Sequence, residues 1–213
     1  MGERARGNWA AKLQRFATAA PERESDRCEL CGAPVMAEHA HLLDVAHRQL
    51  RCACEACVRA LGESAGFRRL RPDTEHLSDF ELSDGVWEGL QLPIDLVFFY
   101  QSTADGGPVA LYPGPAGAMT SALSRDAWAR LMEANPRLGE FSPDVEALLI
   151  NRTKGSRRYY RVSIDRCYAL VGIIRSEWKG LSGGSEVWGS IERFFATLDA
   201  PPVSDRQRSA IHG

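Results

Sequence analysis

Five of the six cysteines, Cys28, Cys31, Cys52, Cys54 and Cys57, fall within 30 residues of a 213-residue chain, and Cys167 stands apart. In a reducing compartment thiols are not consumed by structural disulfides, so cysteines grouped this closely point to metal binding or redox chemistry. The first pair reads Cys28-Glu29-Leu30-Cys31-Gly32. Two intervening residues let both sulfurs face one ion, and the glycine lets the chain turn tightly behind them. The second pair, Cys54 and Cys57, runs into Val58, Leu61 and Ala65, apolar at i, i+3 and i+7, which predicts a short helix opened by the thiols. Thiolates are favoured at such a helix start.

Residues 42–45 and 49–52 can form a hairpin between the two pairs, giving the order knuckle, hairpin, helix. That is the layout of a treble-clef zinc finger. The spacing Cys-x2-Cys-x22-Cys-x2-Cys slightly exceeds the usual four-cysteine pattern of about 15–20 intervening residues, whereas counting from Cys31 to Cys52 gives 20. The ligand set expected here is Cys28, Cys31, Cys54 and Cys57, with Cys52 in reserve on the same strand face as Cys54. His39 and His41 are further candidates, weighed against a plainer role as polar residues of a hairpin strand. A closed four-thiolate site leaves no open position and would hold together a module too small to bury a sufficient core of its own. Zinc is the expected ion, and iron would suit the same sulfurs on grounds of softness.

The remainder predicts a larger α+β domain. Trp9, Leu13, Phe16 and Ala20 suggest an opening helix, and the charged, poorly periodic stretch after residue 66 suggests a connection. Residues 94–100 and 109–112 read as a hairpin around Asp105-Gly106-Gly107-Pro108, and Tyr160, Val162 and Ile164 as an alternating strand. Ser124 is placed to cap a helix ended by Asn135-Pro136, and Ser142-Pro143-Asp144 to open one carrying Val145, Leu148 and Leu149. Asp165 and Ser185 are placed to cap two more. The expected organisation is therefore 1–27 helix and linker, 28–66 cysteine-rich metal module, 67–89 connection, 90–199 α+β domain with a hairpin-containing antiparallel sheet and several helices, and 200–213 flexible tail.

Other features have plainer readings. Arg152, Lys154, Arg157, Arg158 and Arg161, interleaved with Tyr159 and Tyr160, could grip phosphates and stack bases, but charge runs are usually solvated faces. Likewise Arg68, Arg69 and Arg71 read as solvated surface. The glycines between Trp178 and Ser185 could cradle an anion or make a tight turn, and Cys167 could be a reactive thiol or a packed one. Trp87, Trp178 and Trp188 would be partner anchors if exposed, or core if not. A net charge of −2 supplies no global attraction for nucleic acid. The longest apolar runs, 96–100 and 169–174, are far shorter than the roughly 20 residues of a membrane span. The opening Met1-Gly2-Glu3-Arg4 lacks a secretory pattern, so a cytoplasmic protein is expected. No catalytic motif such as Gly-x-Ser-x-Gly or His-Glu-x-x-His occurs, and a non-enzyme without a small-molecule substrate is expected.

Several segments together resemble one family. They are Cys28-Glu29-Leu30-Cys31-Gly32, Glu38-His39-Ala40-His41-Leu42-Leu43-Asp44, Cys52-Ala53-Cys54-Glu55-Ala56-Cys57 and Tyr112-Pro113-Gly114-Pro115-Ala116-Gly117. Pro143-Asp144-Val145-Glu146-Ala147-Leu148, Ile164-Asp165-Arg166-Cys167-Tyr168, Trp178-Lys179-Gly180 and Val187-Trp188 continue the likeness. The chain resembles an uncharacterised bacterial family encoded beside uptake nickel–iron hydrogenase genes, from about Cys28 to Leu198. The resemblance implies an accessory role in hydrogenase maturation, assembly or electron transfer, with a hydrogenase subunit or maturation factor as the protein partner. Two other readings stand beside it. One is a rubredoxin-like iron electron carrier, and the other a zinc-finger nucleic-acid binder, of which an HNH-like nuclease with His41 as base is the enzymatic form.

Overall fold

A run such as Ala147-Leu148-Leu149-Ile150 has no polar face to give to water, and the protein buries both of its faces. In the computed structural model the described residues are 27–199 apart from 37, 38, 48, 63, 65, 71, 72, 181 and 182. The expected opening helix and tail lie outside them. A six-stranded antiparallel sheet forms from β4 (Thr74–His76), β5 (Leu96–Ser102), β6 (Gly107–Gly114), β7 (Gly117–Ser121), β8 (Glu146–Asn151) and β9 (Arg158–Ser163). Its spatial order is β4-β9-β8-β5-β6-β7. Residues 147–151 of β8, held between β5 and β9, are each at most 1% exposed.

Strand alternation distributes these side chains to two cores. The register aligns Leu111, Phe98, Leu149 and Tyr160 in one row across four strands. That row packs with Leu170, Ile174, Ile191 and Phe195 of α4 (Ile164–Glu177) and α5 (Gly184–Asp199). Val97, Phe99, Leu148, Ile150 and Tyr159 point the other way, against α2 (Asp84–Gly89), α3 (Arg125–Ala134) and a 3-10 turn at Pro136–Glu140. Mixed helix and antiparallel sheet is thus the fold class, with helices on both faces of the larger sheet.

One expected helix is a strand. Ser142-Pro143-Asp144 carries helix-start residues, but Asp144 sits at φ 65° and its carboxylate accepts from the amide and hydroxyl of Thr103 at 3.0 and 2.6 Å. The segment after it enters the sheet as β8 because a short all-apolar run has no period to distinguish strand from helix. The helix expected from Asp165 is present as α4, with Ser163 as the preceding cap residue. Within residues 67–89 lie β3 (Phe67–Arg69), β4 and α2.

A second, three-stranded sheet, β2-β1-β3, combines β1 (Ala40–Asp44), β2 (Gln49–Ala53) and β3. Leu42, Ala53 and Val58 form a small core between this sheet and α1 (Glu55–Leu61). Leu43, Leu70 and Ile164 form another, joining the cysteine-rich part to the body.

Asn135 ties the irregular segment before α2 to α3. Its side-chain amide donates to the carbonyls of Glu81 and Leu131 at 2.8 and 3.0 Å, and its Oδ1 accepts from the Glu81 amide at 2.8 Å. Asn135→Ala removes the partners of the Glu81 amide and carbonyl at a buried position, while the Leu131 carbonyl keeps the backbone amide of residue 135, and is expected to cost about 2 kcal/mol. Urea unfolding checks this, with a lower midpoint at unchanged slope as the expected result.

Candidate metal centre

The knuckle is built by its own backbone. The Cys28 amide donates to Ala33 O at 2.7 Å, the Gly32 amide donates to Cys28 O at 2.8 Å, and Gly32 takes φ 75°, which a residue with a Cβ adopts at a cost. Glu29 fastens this loop to β2 twice. Its amide donates to Cys52 O at 2.9 Å and its carboxylate accepts from the Cys52 amide at 2.6 Å. Beyond β2 the chain turns into α1, with Cys54 as its N-cap and Cys57 in its first turn.

These elements bring the sulfurs of Cys28, Cys31, Cys54 and Cys57 within 4.8 Å of one another. Cys31 Sγ and Cys54 Sγ stand 3.6 Å apart. Sulfurs on a tetrahedral ion with metal–sulfur bonds of about 2.3 Å are separated by about 3.8 Å, so the spacing fits a coordination sphere and not a disulfide. The cluster could hold a metal ion. Cys28 is buried and Cys31 exposed, with Cys54 and Cys57 between, which leaves the site reachable from solvent.

The electrostatics favour the same occupant. Burial opposes ionisation of Cys28, but amide hydrogen bonds from Cys54, Leu30 and Cys31 outweigh it and lower its pKa to about 6. Cys57 moves the other way, pushed up to about 12 by its contact with Cys31, by burial and by the other nearby sulfurs. One thiolate is accommodated by backbone dipoles, whereas further charge at such short range requires a cation to neutralise it.

Cys52 and Cys54 enter different ligand groups. Cys52 lies in β2, paired with His41 of β1, and Cys54, still extended, caps the start of α1. The cross-strand pairing instead gathers Cys52 with His39 and His41, whose ligand atoms also lie within 4.8 Å of one another. Sequence reasoning found all three residues but not their grouping. It also missed that His41 Nδ1 meets Asp165 Oδ2 at 3.2 Å, a partner 124 residues away.

A family model described as a family of unknown function, DUF5947, matches residues 27–202. The chain belongs to DUF5947. The matched span includes the four-sulfur cluster and the six-stranded sheet. No curated protein and no solved structure matches this DUF5947 chain.

The remaining candidates are placed in structural surroundings. Arg152 and Arg157 pair with Asp84, Arg158 with Glu192 and Asp199, and Arg161 with Glu146, while Lys154 lies over the Trp188 ring. Arg68 and Arg69 lie exposed in β3, and Arg71 is outside the described residues. Cys167 lies in the first turns of α4, fully buried in the core, and burial pushes its thiol well above the ordinary range. Trp87, Trp178 and Trp188 pack against the two sheet cores. Between α4 and α5 the chain turns tightly: the Trp178 indole donates to Gly180 O at 2.9 Å, and a Cβ on Gly183 would come within 2.9 Å of Val187. Among the described residues no helix is long and apolar enough to cross a membrane.

Cys31→Ser is expected to abolish tight metal binding and to unfasten the knuckle and hairpin while the six-stranded sheet persists. Hydrogen exchange checks this, with protection lost at residues 28–61 and retained at 96–101 and 147–163. Metal affinity should also fall with acid. Above about pH 6 uptake displaces protons from raised thiols such as Cys31 and Cys57, and below it Cys28 must lose one too. The slope of affinity against pH therefore steepens by one proton on passing below that value, as competition with a chromophoric chelator would read.

Proposed function

We propose that this chain is a non-catalytic metal-binding accessory protein, with zinc held by Cys28, Cys31, Cys54 and Cys57 in a treble-clef module. The observation that carries this reading is the convergence of those four sulfurs from a knuckle and a helix start on either side of a hairpin. Four thiolates complete a tetrahedral sphere and leave no position for a substrate, which suits a structural ion. The ion would act on folding. It fixes the knuckle against β2 and α1, where the apolar core of Leu42, Ala53 and Val58 is small.

The partner belongs to the same proposal. The resemblance to proteins encoded beside nickel–iron hydrogenase genes supports a role in maturation or assembly of that enzyme, through a protein surface that the metal keeps in shape. The ion pairs made by the arginines between 152 and 161 favour a solvated, internally neutralised face over a nucleic-acid track.

Protein purified from its own cells without affinity-tag histidines is expected to be colourless and to contain zinc. A coloured, reversibly reducible iron protein would transfer the assignment to a rubredoxin-like electron carrier. Crosslinking in those cells is expected to capture a hydrogenase subunit or maturation factor with the native chain and not with Cys31→Ser. Capture of neither, or a salt-sensitive complex with nucleic acid, would overturn the proposed role.

A further inference from the structure

We propose that His39, His41 and Cys52 form a second metal site, distinct from the four-sulfur cluster, which takes a divalent transition ion of the zinc class with an open coordination position. Strand geometry places the three residues. His41 and Cys52 are directly opposite each other in the β1–β2 register, and His39 precedes His41 by two residues, so the three belong to one face of the hairpin. That face also carries Leu43, which packs against the body, whereas Leu42 and Ala53 face α1. The ligand atoms of the three lie within 4.8 Å of one another. Ligands around a tetrahedral ion stand roughly 3.3–3.8 Å apart, so closure needs side-chain movement of about 1 Å.

Both imidazoles are oriented for this use. His39 Nδ1 lies 2.8 Å from Met36 O, which can only accept, so Nδ1 carries the proton and Nε2 presents its lone pair. That Nε2 is buried and has no hydrogen-bond partner. A buried lone pair left unpartnered is costly, and a cation would satisfy it. His41 Nδ1 is engaged by the Asp165 carboxylate at 3.2 Å, which likewise directs Nε2 away from Asp165. The carboxylate fixes the orientation of the ring, the arrangement that supports metal-ligating histidines generally. Asp165 lies in the first turn of α4 and His41 in β1, so an ion here would be coupled to the junction between the cysteine-rich part and the body.

Two imidazoles and one thiolate suit zinc, cobalt, nickel or copper better than a hard cation. Three protein ligands leave room for water or a small donor, unlike the neighbouring four-sulfur site.

The test is a titration of the metal-free full chain with Co2+, read by optical absorption, and with Zn2+, read by NMR of histidine side-chain nitrogens. The expected result is two ions per chain, one with a tetrathiolate spectrum and one with a mixed nitrogen–sulfur spectrum, the latter accompanied by shifts of His39 and His41 Nε2. His39→Ala and Cys52→Ser should each reduce uptake from two ions to one and leave the tetrathiolate spectrum unchanged. Asp165→Asn, a change at a positioning residue, should weaken the second site about tenfold. The histidine signals report on this site whether or not the four sulfurs fill, and they are read on the native chain. Unmoved Nε2 signals at saturating Zn2+ would overturn the proposal. So would a tetrathiolate spectrum altered by His39→Ala, which would assign the histidine to the first ion.

Discussion

Everything in the body of the protein depends on burying both faces of β5 and β8. These two adjacent strands carry apolar residues at successive positions, so a single covering layer would leave half of them in water. Exposing a Leu or Phe side chain costs about 1.5–3 kcal/mol, and the row from Leu111 through Phe98 and Leu149 to Tyr160 makes several such groups interdependent. Helices therefore flank the sheet on both sides. Tyr160 shows how tightly the layers are joined, since its ring packs on Phe195 while its hydroxyl donates to Asp199 at 2.7 Å at the far end of α5.

The cysteine-rich part works under a different constraint. Its own apolar core centres on Leu42, Ala53 and Val58, with α1 seven residues long, and such a module gains more from cross-linking by an ion than from area buried. Backbone hydrogen bonds set the knuckle, Glu29 docks it on β2, and the start of α1 supplies the second pair of sulfurs. The module is attached to the body by Leu43, Leu70 and Ile164 and by the contact of His41 with Asp165. An ion at the four sulfurs would thus act on the shape of the whole front of the molecule.

The two ligand clusters differ in donor number. Four sulfurs could enclose an ion completely, whereas His39, His41 and Cys52 would surround one only in part, with His41 held by an acid from the body. In the proposed reading the first holds shape for a protein partner, and the second lies at the junction between module and body. Arg152, Arg157, Arg158 and Arg161 serve internal cohesion, meeting acids from α2, α5 and β8.

The sequence by itself pointed to Cys28, Cys31, Cys54 and Cys57 with Cys52 in reserve, because local spacing and turn chemistry make two pairs of sulfurs, and the tertiary structure chose among them. It also determined α3 and its end at Asn135-Pro136, the alternating strand β9, and a mixed fold with a hairpin. The segment carrying Val145, Leu148 and Leu149 reads as helix from its start signals alone, because those are local and a short apolar stretch has no period. Only neighbours on both edges made it a strand. The company of Cys52 was likewise decided by the register that sets it opposite His41, which spacing along the chain does not contain. The pairing of His41 with Asp165 was decided by tertiary structure alone, since no local rule links side chains 124 residues apart until the hairpin packs against the start of α4.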